Sequence, residues 1–119
     1  MDTDCTIYKT SNIIGKKWTI LILLELYKGA KKIRYTKLKE SVHGITAKIL
    51  AERLRELEKE EMIKKDIDTT SFPIKSEYSL TPAGEDFIKI IKSIKAWALK
   101  HKYKNQNCMK NDCKNCKNI

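Results

Sequence analysis

The stretch Gly44-Ile-Thr-Ala-Lys-Ile-Leu-Ala-Glu-Arg-Leu-Arg-Glu-Leu-Glu-Lys-Glu-Glu-Met62 decides the fold of this chain. Gly44 interrupts the segment before it, and the hydroxyl of Thr46 can cap the first turn of a helix. The apolar residues that follow recur at helical spacing, and the stripe they predict consists of Ala47, Leu50, Leu54 and Leu57. The sequence therefore predicts an amphipathic helix over residues 46–61.

The opposite face of this helix is mostly charged. At about 100° per residue it presents Lys48, Glu52, Arg55 and Lys59, with Ile49, Arg53 and Glu56 on its flanks. An apolar back, a charged front and a tight turn before the helix suit the major groove of DNA. The segment alone is equally compatible with a solvated surface helix, so the rest of the chain must distinguish the two.

Length and charge narrow the class of protein. The 119 residues are enough for one domain, and 41% hydrophobic with 34% charged residues indicates a globular chain. The net charge of +10 is concentrated in two blocks, residues 16–40 and 89–119, which sum to +6 and +8. Two basic blocks favour a polyanionic partner. A general lysine excess from an A/T-rich or thermophilic coding sequence is the alternative explanation.

The sequence shows no secretion or membrane signal. Residues 1–5 are acidic, and the longest apolar run, residues 19–24, is far shorter than the roughly 20 residues of a membrane span. We therefore expect a cytoplasmic protein with no membrane partner and with reduced cysteines. No catalytic pattern surrounds His43 or His101, and no glycine-rich phosphate loop is present, so we expect neither an enzyme nor a required cofactor.

Helices also precede the central one. A first helix is predicted over residues 6–14, closed by Gly15, and a second, mostly buried helix over residues 18–27. A basic loop over residues 31–35 has room for one short strand. Thr36 is predicted to cap a brief helix over residues 37–42, with Leu38 and Val42 facing inward.

After Met62 the apolar period changes from helical to alternating. This predicts a β-hairpin over residues 63–80, with a long polar loop over residues 68–73. Thr81-Pro82 then starts a final helix that ends near Lys102. Its predicted apolar face comprises Phe87, Ile90, Ile91, Ile94, Trp97 and Ala98, which exceeds what a small monomer can bury and predicts a homodimer.

The predicted order, helices followed by a two-stranded wing, is that of a winged helix-turn-helix, mainly α with a small β-hairpin. Four blocks of sequence resemble the HxlR-type winged helix-turn-helix regulators, relatives of the MarR proteins: residues 14–23, 44–46, 50–57 and 77–84. The resemblance implies a homodimeric transcription factor whose N- and C-terminal helices form the dimer interface. It runs from Cys5 to about Trp97, within a predicted DNA-binding and dimerisation domain over residues 1–103. Residues 104–119 form a basic, Cys-rich tail outside the pattern.

Duplex DNA, with a palindromic operator, is therefore the expected partner. The candidates for contacting phosphates are Lys16, Lys17, Arg34, Lys37 and Arg53. The candidates for contacting base edges are Thr46, Lys48, Ile49, Glu52 and Arg55. Arg53 has an alternative role, an ion pair with Glu56 or Glu60.

The wing offers a second, less basic set of candidates for the adjacent minor groove. They are Thr69, Thr70, Ser71 and Lys75, and Asp66 and Asp68 lie beside them. A winged-helix protein-interaction module, or a general nucleic-acid-binding protein without a specific operator, is the alternative to a sequence-specific regulator.

The four cysteines suggest two further roles. The family resemblance places a redox-sensing cysteine at Cys5, where Lys9 on one side and Asp2 and Asp4 on the other act on the thiol in opposite directions. In the tail, Cys108, Cys113 and Cys116 have the density of a zinc site, for which Cys5, His101 or a second subunit could supply a fourth ligand. An inert thiol at Cys5 and a disordered tail with incidental cysteines are the alternatives.

Overall fold

Helices surround a small antiparallel sheet in the computed structural model, which describes residues 2–29, 31–70 and 72–116. The helices are α1 (Thr6–Ile14), α2 (Lys17–Lys28), α3 (Tyr35–Ser41), α4 (Ala47–Lys59), α5 (Pro82–His101) and α6 (Gln106–Lys110). The strands are β1 (Ile33–Arg34), β2 (Ile63–Asp68) and β3 (Lys75–Leu80), and a 3₁₀ turn covers Cys113–Asn115. None of the described helices is long and apolar enough to cross a membrane. The predicted class, mainly α with a small β wing, is confirmed.

Side-chain caps start the two helices that the sequence predicted to be capped. Thr46 Oγ1 accepts a hydrogen bond from the Ile49 N–H at 3.2 Å, and Thr81 Oγ1 accepts one from the Gly84 N–H at 3.1 Å. Gly44 has a φ of 86°, a conformation that few other residues adopt. The helix predicted to end at residue 61 ends at Lys59, because Glu61, with a φ of 60°, turns the chain into β2.

Two local predictions were wrong. Thr36 does not cap α3: the helix begins at Tyr35, and Arg34 occupies the cap position without a side-chain hydrogen bond. The reason is that pairing of Arg34 with Glu77 keeps the chain extended until the helix starts. Ala47 is exposed rather than buried, because the first turn of α4 lies beyond the edge of the core.

The sheet has three strands in the order β1-β3-β2, all antiparallel. The predicted hairpin is confirmed, with Ile63 opposite Leu80 and Asp68 opposite Lys75. The short strand β1 pairs with β3, so the segment before α3 is tied to the base of the wing. The central strand β3 is therefore paired on both sides, with β2 in the hairpin and with β1 next to α3.

The core lies where α2, α4, α5 and the base of the sheet meet. Its side chains with the least exposure include Ile22, Leu23, Leu38, Leu50, Leu57 and Ile63. The broad apolar face predicted for α5 divides into two. Phe87 and Ile91 are buried, whereas Ile90, Ile94 and Trp97 are exposed because they point away from α2. Ile88, which the predicted face did not include, is also buried.

The described part of the tail folds back against the body of the protein without adding to the core. Neither α6 nor the 3₁₀ turn has a buried residue. Lys95 Nζ on α5 donates to the Asn111 carbonyl at 2.7 Å, and Lys92 lies 3.7 Å from Asp112. The ammonium of Lys114 lies 4.9 Å above the ring of Tyr27 on α2. The tail therefore covers part of the junction between α2 and α5.

Candidate nucleic-acid interface

The rotation of α4 about its axis is fixed by its apolar stripe. Leu50, Leu54 and Leu57 are at most 2% exposed, which anchors one side of the helix in the core. The opposite side presents Lys48 and Arg55 to solvent. Two cationic side chains two helical turns apart therefore project outward from a helix that cannot rotate.

The other predicted base-contacting residues surround this pair. Thr46 is exposed, although its hydroxyl oxygen caps the helix, and Glu52 is partly exposed. Ile49 is partly buried and packs against the core, so only part of its side chain faces outward. Lys48, Glu52 and Arg55 thus share one face of α4, and Thr46 lies at its N-cap.

The first turn of α4 is tied to α3 by a residue that sequence reasoning missed. The hydroxyl of Tyr35 donates to the Ala47 carbonyl at 3.1 Å, and the Tyr35 ring packs against the core. The sequence feature that could have indicated Tyr35 is its position, directly after the basic segment 31–34 and shortly before the central helix. This bond fixes the position of the start of α4 relative to α3.

A cluster around Glu56 holds two of the predicted phosphate-contacting residues. Lys16 Nζ and Arg53 Nη1 lie 2.7 Å and 3.0 Å from Glu56 Oε1. The hydrogen bond from Lys16, together with the positive charge of Arg53, lowers the pKa of Glu56 below its ordinary value. The ion pair predicted as the alternative role of Arg53 is confirmed. Lys16 therefore joins the start of α2 to the C-terminal half of α4, and Arg53 pairs with the same carboxylate within α4.

The other cationic candidates lie at the edges of the helix-turn-helix. Lys17 is exposed, with its ammonium 4.7 Å from the Trp18 ring centre. Arg34 and Lys37 are exposed at the start of α3, beside a groove whose far wall is formed by residues 73–76 of the wing. Arg34 also stands opposite Glu77 in the sheet register. Of these three cations, Arg34 lines the groove between α3 and the wing.

The wing is less basic than its lysines suggest. Lys32 forms an ion pair with Asp66 at 3.3 Å, and Lys75 stands opposite Asp68 in the register. Asp68 also accepts hydrogen bonds from the backbone N–H and the hydroxyl of Thr70, so Thr70 shapes the loop. Thr69 is exposed, and Ser71 lies outside the described residues.

The tip of the wing also carries Phe72, which is 99% exposed and was not among the residues predicted from the sequence.

The exposed apolar side of α5 forms a second surface. Ile90, Ile94 and Trp97 are between 43% and 57% exposed, and Ile7 on α1 is 75% exposed. Contiguous apolar side chains on a small protein mark an interaction site. These residues lie on the two helices that the family resemblance assigns to the dimer interface.

The cysteines do not converge. Cys5 is exposed at the N-cap position of α1, and the neighbouring Lys9 pairs with Asp4 at 2.7 Å. Within residues 2–29, 31–70 and 72–116, no three His, Cys, Asp or Glu side chains are placed to hold a metal ion. The zinc hypothesis for Cys108, Cys113 and Cys116 therefore has no support from the described residues.

Comparisons with known proteins agree with this architecture. YvaP of Bacillus subtilis, an HTH-type transcriptional regulator, is 33% identical over 76% of this chain and 81% of its own length. A MarR-family regulator of Porphyromonas gingivalis W83 has a solved structure with a TM-score of 0.74 and 35% identity, covering 87% of this chain and 97% of that one. The oxidized form of the redox regulator HypR matches with a TM-score of 0.71 and 28% identity, covering 83% and 99%.

These relatives are transcriptional regulators and not enzymes, as the sequence predicted. The model of the HxlR-like helix-turn-helix family matches residues 13–106, a span that includes every element from α2 to α5. The chain is a transcriptional regulator that belongs to the HxlR-like helix-turn-helix family.

Proposed function

We propose that this regulator binds a specific palindromic operator as a homodimer, with α4 in the major groove and the wing beside it. The observation that carries the proposal is the fixed outward face of α4. Its leucines prevent rotation, and Tyr35 holds its first turn, so Lys48 and Arg55 project from a rigid element. A rigid helix that presents cations at fixed spacing is what base-edge recognition requires.

The residues on this face suit different base edges. Lys48 and Arg55 can donate to guanine O6 and N7, and Glu52 can accept from cytosine N4. Thr46 can contact either kind of edge, and the outward part of Ile49 can contact a thymine methyl group. Sequence preference is therefore assigned to α4.

Affinity is assigned mainly to residues around α4. Lys17, Arg34 and Lys37 are exposed and placed at helix starts, where they can contact phosphates. Lys16 and Arg53 already share Glu56, so their positive charge is partly balanced. In the wing, Thr69 and Lys75 are proposed as further contacts, with Thr70 acting mainly through the loop.

Dimerisation is assigned to α1 and α5. Burial of Ile90, Ile94 and Trp97 against a second copy would remove apolar area from water, at about 25 cal/mol per Å². A two-fold dimer places two copies of α4 on successive major grooves, about 34 Å apart. This spacing matches a palindromic operator.

A thiol response at Cys5 is a second proposed property, favoured by its exposure and by the likeness to HypR. In the proposed step, the Cys5 thiolate attacks a low-molecular-weight disulfide. One thiol leaves, and Cys5 is retained as a mixed disulfide. Intact-mass measurement after exposure to oxidised glutathione tests this step, and Cys5→Ser is the matched control. An unmodified Cys5 in the wild type would contradict it.

Selection from a random duplex pool tests DNA recognition. The expected result is enrichment of a palindrome with half-sites about one helical turn apart. Enrichment of no sequence, with salt-dependent binding to all duplexes alike, would favour a general nucleic-acid-binding protein. No duplex binding at all would favour a protein-interaction module.

A further inference from the structure

The tip of the wing carries an apolar surface that the contacts above do not use. The side chain of Phe72 is 99% exposed, and those of Ile67 and Ile74 are 57% and 63% exposed. Ile67 lies on the same face of the hairpin as Ile63 and Tyr78, which are buried closer to its base. Lys65 lies on this face between Ile63 and Ile67, so apolar side chains appear again in solvent beyond the core.

The hairpin has no excess of positive charge that would attract DNA phosphates. The two paired strands carry three lysines and three carboxylates: Lys64, Lys65, Lys75, Asp66, Asp68 and Glu77. Their net charge is therefore zero, and Lys32 forms an ion pair with one of the carboxylates at 3.3 Å. Attraction to phosphate is weak here, so a contact made by this tip depends on its apolar side chains.

The tip adjoins the start of the helix-turn-helix. Pro73 and Ile74 line one wall of a groove whose other wall is formed by residues 34–36. Tyr35, within that second wall, donates its hydroxyl hydrogen bond to Ala47 in the first turn of α4. The apolar tip and the start of α4 therefore belong to adjoining parts of one surface.

We propose that Phe72, at the end of the hairpin that also exposes Ile67 and Ile74, is an apolar wedge that enters the minor groove next to the site contacted by α4. This inference rests on the proposed DNA-binding function. Proteins that bind the minor groove insert Phe, Leu or Ile between base steps, which partly unstacks the bases and bends the duplex. Pyrimidine–purine steps, which unstack most easily, are the expected sequence at this position.

The size of the patch favours DNA over a protein partner. Each side of a stable protein–protein interface buries about 800 Å² and contributes about 20–30 residues. Three apolar side chains at the end of a narrow hairpin provide far less area than this. A wedge between base steps needs only one or two side chains, so the tip is large enough for that role.

The test compares the wild-type chain with Phe72→Ala on the duplex obtained by selection. Affinity is measured by fluorescence anisotropy at several salt concentrations, and bending by energy transfer between dyes at the duplex ends. We expect Phe72→Ala to bind about tenfold more weakly and to bend the duplex less, with the salt dependence unchanged. Phe72→Leu, which keeps an apolar wedge, should retain most of the affinity and bend.

Lys75→Ala is the matched control in the wing. It should make the salt dependence shallower by about one ion while the bend is retained. Because Phe72 is 99% exposed, neither Phe72 variant should lower the melting temperature, and thermal unfolding checks this.

The possible failures are distinguishable. If the wild type selects an operator and Phe72→Ala matches it in affinity and bend, the wedge is wrong and the proposed function stands. If the wild type selects no operator, the proposed function and the wedge both fail. If Phe72→Ala changes self-association but not DNA binding, the tip contacts protein, and the wedge is again contradicted.

Discussion

The hydroxyl of Tyr35 donates a hydrogen bond to the carbonyl oxygen of Ala47, at 3.1 Å, and so joins the first residue of α3 to the first residue of α4. The two helices meet at a fixed position because this bond acts together with the buried side chains of both helices, such as Leu38 and Leu50. The outward face of α4 is thereby held in one orientation before any ligand arrives. Preorganisation of this kind lowers the entropic cost of binding.

Removal of this hydroxyl should weaken both folding and recognition. Tyr35→Phe is expected to lower the free energy of unfolding by about 1 kcal/mol, because the bond from α3 to the Ala47 carbonyl is lost. It should also weaken operator binding more than binding to unrelated duplex. Denaturant titration and anisotropy measure the two effects. Tyr27→Phe is the matched control: its hydroxyl contacts Lys92 of α5 and, among the described residues, makes no bond to α4, so it should leave operator preference unchanged.

The cap of α4 provides a second prediction. Thr46→Ala is expected to cost about 1 kcal/mol of unfolding free energy, because the Ile49 N–H loses its acceptor. Thr46→Ser keeps the hydroxyl and should retain most of the stability. Chemical denaturation of the three proteins decides the matter. Equal losses for alanine and serine would show that the threonine methyl, rather than the cap, is responsible.

The Glu56 cluster makes stability depend on pH in a defined direction. Since the folded state lowers the pKa of Glu56, its ion pairs stabilise the protein above about pH 4.5, the ordinary value, and this contribution is lost as the pH falls through the folded-state pKa. The effect should stay below about 1 kcal/mol, because the carboxylate is 40% exposed and solvent screens it.

Glu56→Gln should therefore be less stable than the wild type near neutral pH, and the difference should shrink below pH 4.5. Urea unfolding across this range measures it, with Glu52→Gln as a control on the same helix. A difference that stayed constant down to pH 3 would rule out the ion pairs as its source.

Charged substitution on α5 tests the dimer. Trp97→Glu is expected to shift the protein to a monomer at micromolar concentration, because it places a charge in the proposed apolar interface. Ile67→Glu introduces the same charge at a similarly exposed apolar side chain of the wing and should leave the dimer intact. Sedimentation velocity distinguishes the two variants. A wild-type protein that is already monomeric at this concentration would contradict the proposed dimer.

Sequence patterns sufficed wherever one local feature controls the structure. The leucine spacing of α4, the caps at Thr46 and Thr81, and the alternation after Met62 each determined an element. Features that depend on long-range contacts could not be predicted from local sequence patterns. The start of α3 depends on the pairing of Arg34 with Glu77, and the division of the α5 face depends on where α2 packs.

The candidate site was only partly predictable for the same reason. Helical spacing placed Lys48 and Arg55 outward without knowledge of the fold. The role of Tyr35 and the exposure of Phe72 depend on how distant segments of the chain pack together. Local sequence patterns therefore cannot predict them.

Operator binding by a variant with both Lys48→Ala and Arg55→Ala tests most directly whether α4 contacts base edges. The variant with Lys17→Ala and Lys37→Ala is the control, because it removes two cations proposed to contact phosphates. If α4 contacts base edges, the first pair should lose about 1–3 kcal/mol per contact and should relax the preference for particular bases. The control should weaken binding to all duplexes and flatten the salt dependence. If the variant without Lys48 and Arg55 keeps full operator affinity and an unchanged base preference, α4 does not contact base edges.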